Sequence, residues 1–195
     1  MHPTVAEARP YTREDFEREA LAHMDSVYCF ARSLTGQDAA AEDLTQDTYL
    51  NALRAWRQYT PGTNCRAWLF TICRNLRAKQ AVRERREEPA ELAELESLAS
   101  AALYAAMGGG GAERALFDQV DLADAVRRAI AKLPEEYREV VALADVHDQS
   151  YETIAHVLGV PVGTVKSRLY RGRRLLQEEL SAYAQDAGIV AGKGG

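Results

Sequence analysis

Apolar side chains recur at helical spacing through Phe16, Ala20, Met24, Val27, Ala31 and Leu34. Steps of three and four residues place such a series on one helix face. Thr12 with Asp15 makes a capping-box pattern ahead of the series, and Gly36 closes it. The spacing therefore predicts one first helix of about six turns. A second helix is expected from Asp38 to about Trp56, and a third from about Cys65 to Arg86, after the turn Thr60-Pro61-Gly62-Thr63. Three antiparallel helices make a small bundle. Helical spacing returns from Val120 onward in Leu122, Val126, Ala129, Ile130 and Leu133; Pro134 suits a helix start, and Tyr137, Val140, Val141 and Ala144 follow. No stretch sustains the alternation of a strand, so the expected fold class is all-α.

The pattern fails between residues 87 and 118. Here an acidic stretch is followed by an alanine-rich one and then by Gly108-Gly109-Gly110-Gly111, a run that ordered elements rarely hold. This predicts a flexible linker between two small helical domains, residues 12–86 and 119–182, with tails at 1–11 and 183–195. Within the second domain, Ser150 is a good N-cap, Ile154 and Leu158 form an apolar seam with small Ala155 between them, Gly159 offers a left-handed turn, and Val160 and Val165 close a small core. This is a helix-turn-helix pattern. At 100° per residue its second helix turns Val165, Leu169, Gly172 and Leu176 toward the core and Lys166, Ser167, Tyr170, Arg171 and Arg174 outward. Arg168 and Arg173 flank the core side, a placement suited to backbone phosphate. Such a face matches phosphates and the acceptor-rich edge of guanine.

The third helix carries Arg66, Phe70, Arg74 and Arg77 on one arc, opposite Trp68, Leu69, Ile72 and Leu76. A basic groove with an exposed ring suits single-stranded DNA, which is held by backbone charge and base stacking. The second helix is its electrostatic opposite, with Glu42, Asp43, Gln46, Asp47 and Leu50 on one arc. That arc suits a basic protein partner or plain solvent.

Composition changes this picture only once charge is resolved along the chain. The 195 residues carry a net charge of −5, which on average argues against nucleic acid. Yet residues 64–86 sum to +6 and 163–174 to +5, whereas 1–63, 87–118 and 119–162 sum to −4, −6 and −4. The two basic segments are the two faces already singled out. Cys29, Cys65 and Cys73 form no CxxC pair, so neither a disulfide framework nor a metal site is expected, and Cys29 and Cys73 read as small apolar core residues. No apolar run reaches the roughly 18 residues of a membrane span and no signal-peptide pattern opens the chain, so a cytoplasmic location is expected. His2, His23, His147 and His156 are scattered, and no catalytic constellation emerges; neither enzyme activity nor a cofactor is expected.

Taken together, the chain resembles a bacterial extracytoplasmic-function sigma factor of the sigma-70 family. DAAAEDLTQDTYLNALRAW from Asp38 is similar to region 2.2, PGTNCRAWLFTICRNLRAKQ to regions 2.3 and 2.4, and the block from Leu133 (LPEEYREVVAL) to Leu180 to region four. The resemblance implies that Glu42, Asp43, Gln46 and Asp47 dock on the β′ clamp helices of core RNA polymerase. It implies that regions 2.3 and 2.4 open and read the minus-10 element, with a flipped base captured by the loop from Thr60 to Cys65. Asn64 is the expected base contact, since an amide both donates and accepts hydrogen bonds; for Cys65, core filler and loop contact are equally open. Region four would read the minus-35 element and touch the β flap, an acidic linker would thread toward the RNA exit path, and an anti-sigma factor would clamp the two domains. The alternatives are a stand-alone helix-turn-helix repressor and a sigma mimic that sequesters an anti-sigma factor.

Overall fold

The computed structural model describes residues 10–87 and 118–186; the expected linker and tails lie almost wholly outside them. The single first helix is in fact two, α1 (Arg13–Leu21) and α2 (Met24–Thr35). Thr12 and Asp15 form the expected capping box, and Gly36 ends α2 at φ +76°. The break falls at Ala22 and His23. The Ala20 carbonyl, which a continuous helix would offer to Met24, accepts instead from the Tyr49 hydroxyl at 2.9 Å and from the His23 N–H at 3.1 Å. The turn shifts the helical phase. Phe16, Ala20, Val27, Phe30, Ala31 and Leu34 enter the core, while Met24 is exposed. Cys29 is likewise exposed, not a core residue as expected, because the neighbouring Val27, Phe30 and Ala31 occupy the inward arc of α2. Cys73 and Cys65 are both buried.

Helix α3 (Asp38–Arg54) leads through a 3-10 turn, Trp56–Gln58, and a tight turn into α4 (Cys65–Glu87). Gly62 sits at φ +80° after Pro61, and the Thr63 N–H donates to the Thr60 carbonyl at 3.2 Å. The geometry needs a residue free to adopt positive φ. Asn64 caps α4, its Oδ1 accepting from the Ala67 N–H at 3.0 Å. Helices α2, α3 and α4 pack around Phe30, Leu44, Leu69, Phe70 and Cys73, with Phe16 of α1 edge-on to Trp68 at 5.7 Å.

The second group comprises α5 (Asp118–Lys132), α6 (Glu135–Val141) continued by a π-helical turn over Ala142–Val146, α7 (Tyr151–Leu158) and α8 (Val162–Asp186). Ser150 caps α7, its Oγ accepting from the Thr153 N–H at 3.1 Å, and Gly159 turns the chain at φ +66°. Helices α7 and α8 enclose Ile154, Leu158, Val165 and Leu169. Gly172 lets α8 approach α6, since a Cβ there would lie 2.8 Å from Val141 Cγ2. The two groups are packed on each other, α4 against α7 and α2 against α5 and α6, and their cores are continuous. Among the described residues every regular element is helical, and no helix is long and apolar enough to cross a membrane.

Candidate nucleic-acid interface

The outer face of the helix-turn-helix is built from the first four turns of α8. Val165 and Leu169 are buried against α7 and Gly172 against α6, so the 100° step turns Lys166, Ser167, Tyr170, Arg171 and Arg174 outward, and all five are exposed. Tyr170, at 73% exposure, is the most exposed large apolar-bodied side chain among the described residues. It lines an open cleft of about 400 Å³ with Tyr151, Lys166, Arg173 and Arg174. The two flanking arginines are tied back. Arg168, half-buried, pairs with Glu136 at 3.2 Å, and Arg173 pairs with Asp145 at 2.5 Å. These bonds orient guanidinium groups beside the reading face.

Glu42, Asp43, Gln46, Asp47 and Leu50 are all exposed along α3, while Leu44, Thr45, Thr48 and Tyr49 between them are buried. One helix thus has an apolar side in the core and a continuous acidic side in water. On α4 the expected arc comes apart. Arg66, Arg74 and Arg77 are half-buried, and the Phe70 ring, expected to be exposed, is fully buried. It lies 4.9 Å from Phe30 of α2 and 4.9 Å from the His147 ring. Phe70 thus lies with Leu69 and Cys73 on the stripe of α4 that packs inside the bundle, not opposite Leu69 as expected, and a second layer covers its remaining side.

That second layer is the segment 139–149. The Glu139 carboxylate accepts from Arg74 Nε at 3.3 Å, the Gln149 Oε1 accepts from Asn64 Nδ2 at 3.4 Å, and Arg138 reaches the Leu34 carbonyl at 3.4 Å. Asp148 takes a positive φ of 49°, unusual for a residue with a Cβ. The loop thereby folds back, the Gln149 N–H donating to the Leu143 carbonyl at 2.9 Å, and sets His147 between the two aromatic rings. Burial, with the Arg66 charge second, pushes the His147 imidazole down to about 4. Burial likewise raises the Glu139 carboxyl above the ordinary carboxylate range, with Arg74 pulling the other way. Every group on α4 and its preceding loop that was expected to meet DNA, apart from Arg66 and Arg77, touches this segment.

Comparison with known proteins bears on what these faces are. Residues 20–87 match the family described as Sigma-70 region 2 and residues 123–176 the family described as Sigma-70, region 4. The ECF RNA polymerase sigma factor EcfG of Rhodopseudomonas palustris is 37% identical over 159 residues, 81% of each chain. The chain belongs to the ECF RNA polymerase sigma factors. SigE of Mycolicibacterium smegmatis, another ECF RNA polymerase sigma factor, is 35% identical over 164 residues, which are 84% of this chain but 61% of that one. Among solved structures, the co-crystal of the sigma factor RpoE with the anti-sigma factor NepR from Bartonella quintana shares 32% identity at a TM-score of 0.67, over 86% of this chain and 98% of that one.

In this ECF sigma factor, the region 2 match runs from the end of α1 through α4 and the region 4 match from within α5 into α8. The seam between them is where reading from sequence fell short. Glu139 and Gln149 were not singled out there and His147 only as one of four scattered histidines, because nothing in the spacing of the second acid of EYREVVAL or of a single histidine points to a surface more than 60 residues away in the chain. Only Glu139, flanked by valine on its C-terminal side and one turn before Leu143, carried a signal: it stands where a buried residue belongs.

Proposed function

We propose that this sigma factor binds core RNA polymerase through the acidic side of α3, reads the minus-35 element with the outer face of α8, and uses the turn before α4 and the basic side of α4 to open and read the minus-10 element. The observation that carries this reading is the presence of both regions, 2 and 4, in one chain, supported by the exposed acidic side of α3 and the exposed basic side of α8. The chain performs no covalent chemistry in this reading; the polymerase does. Glu42, Asp43, Gln46 and Asp47 supply charge for the β′ clamp helices, and another surface of region 4 meets the β flap. Lys166, Ser167, Arg168, Tyr170, Arg171 and Arg174 face duplex DNA. Asn64, Arg66, Arg74 and Arg77 face the opened strand once Glu139 and Gln149 leave them, and Phe70, buried against Phe30 and His147 in this structure, comes within its reach only then.

Asn64 has a narrower role than an amide in general. Its oxygen already accepts one bond as the α4 cap, so its NH₂ group, once released from Gln149, is the freer one to offer a base. An anti-sigma factor is the further partner, since a structure similar to this one contains such a complex. The stand-alone repressor and the sigma mimic do not account for an acidic α3 and a basic α8 together. The test is run-off transcription with purified core polymerase over a promoter library, sequenced from the start sites. Enrichment of paired minus-35 and minus-10 motifs is the expected result; promoter protection by the chain at nanomolar concentration without polymerase would return the repressor.

A further inference from the structure

Outside the charged faces, the most elaborate polar cluster in region 2 lies behind the turn 60–64. The Glu19 carboxylate of α1 accepts from the Tyr11 hydroxyl at 2.7 Å through Oε2 and from the Tyr59 hydroxyl at 2.5 Å through Oε1. The Tyr59 hydroxyl also lies 3.0 Å from the Thr63 carbonyl. Tyr59 is buried, packed against Phe16, Tyr11 and Trp68 with ring centroids 5.6 to 6.3 Å away. The turn itself is braced by Thr63 Oγ1 donating to the Thr60 carbonyl at 2.7 Å. Its outer side chains, from Thr60 to Asn64, all face solvent, while Cys65 is buried at the first position of α4.

Stability alone does not call for this arrangement. A phenylalanine at 59 would fill the same space and leave no hydroxyl to satisfy, and a half-buried carboxylate without an arginine or lysine partner costs desolvation. What the carboxylate achieves is directional. It fixes the Tyr59 oxygen at 2.5 Å, and the single phenolic hydrogen is shared with the Thr63 carbonyl 3.0 Å away, one residue before Asn64. We propose that Glu19, acting through Tyr59, is the positioning residue of the minus-10 turn: it holds the turn from Thr60 to Asn64 in the one geometry that reads a promoter base. The inference rests on the reading of that turn as the base-capturing element. Glu19 is not itself in reach of DNA, and Tyr11 serves as the second phenol that keeps the carboxylate in place.

The test compares four full-length variants in holoenzyme with core polymerase: Glu19→Gln, Tyr59→Phe, Asn64→Ala and Tyr49→Phe. The last removes another buried tyrosine hydroxyl, the one on the Ala20 carbonyl, and leaves the turn alone. Open-complex formation is measured on a promoter and on its single-base minus-10 variants, alongside core polymerase affinity and thermal stability. Loss of one positioning hydrogen bond should reduce discrimination by about fivefold. The expected result is that loss in Glu19→Gln and Tyr59→Phe, at the same promoter position as in Asn64→Ala, with polymerase affinity unchanged and discrimination intact in Tyr49→Phe. If Asn64→Ala alone loses discrimination, the turn still reads the base but Glu19 does not position it, and the proposal is overturned. If none of the first three changes discrimination, the reading of the turn falls and the proposal with it. If Tyr49→Phe loses discrimination equally, the effect is one of general stability, and the proposal is again overturned.

Discussion

Asn64 shows how much one side chain can be asked to do. Its oxygen stops the first turn of α4 from leaving a bare N–H, and its nitrogen points toward Gln149. On α8 the division is cleaner, because Arg171 is exposed and spends no part of its side chain on the fold. Arg171→Ala should weaken minus-35 binding by about 1–3 kcal/mol and relax specificity at one base pair, measured by holoenzyme titration against duplexes substituted base by base. Asp47→Ala should weaken core polymerase binding and leave the promoter preference unchanged, measured by competition for core and by the sequence of selected promoters. The outward positions of α3 and α8 were legible from the sequence because a helix period alone determines them. Phe70 was not, because it packs on Phe30 of α2 as well as on His147, and the local period assigned its side of α4 to solvent.

At the scale of elements, the caps and turns were legible for a local reason. Thr12 with Asp15, Gly36, Ser150 and Gly159 each act within four residues of themselves. The break between α1 and α2 was hidden because the apolar spacing runs on across it, and the hydroxyl that meets the Ala20 carbonyl there belongs to Tyr49, 29 positions away. Gly172 is a case where spacing predicted the inward face but not the tolerance. A methyl group there meets Val141 at 2.8 Å and the Tyr137 Cβ at 3.2 Å, both on α6. Gly172→Ala should destabilise the chain by about 1–3 kcal/mol, the usual cost of overpacking, read as a lower urea midpoint. Because the displaced helix is the reading helix, minus-35 affinity should fall in step.

At the scale of the whole molecule, the two regions are arranged so that one covers the other. Glu139 pairs with Arg74, proposed above to meet a phosphate, and Gln149 with Asn64, proposed above to meet a base. Glu139→Gln combined with Gln149→Ala should tighten binding of the free chain to a single-stranded minus-10 oligonucleotide by roughly tenfold, measured by fluorescence anisotropy without polymerase. The seam also has a pH signature. His147 ionises with an ordinary value of 6.5 when solvated but about 4 when closed, so the neutral ring favours closure, and acidification from 6.5 toward 4 protonates the open form first and draws the molecule open. Glu139, raised by burial, acts in the opposite sense. The His147 contribution is therefore read as the difference between the unmodified chain and His147→Gln, which should resist acid opening more strongly in scattering and oligonucleotide binding. Two helical groups were legible in the sequence from their separate hydrophobic periods; their mutual packing was not, since no local pattern records a surface that meets another across 60 residues.

The unequal burial of the three thiols has a practical consequence. Cys29 lies in the open, while burial pushes the Cys65 thiol up to about 11 and the Cys73 thiol up to about 12. A thiol reacts as its thiolate and only when reached, so alkylating reagents should modify this chain in three separate phases. Cys29 goes first, as a ready site for a single dye. Cys65 follows at the rate at which the turn before α4 lifts away, and Cys73 waits for the bundle to unfold. The unmodified sequence thus carries a clock for local opening and a clock for global unfolding in the same tube.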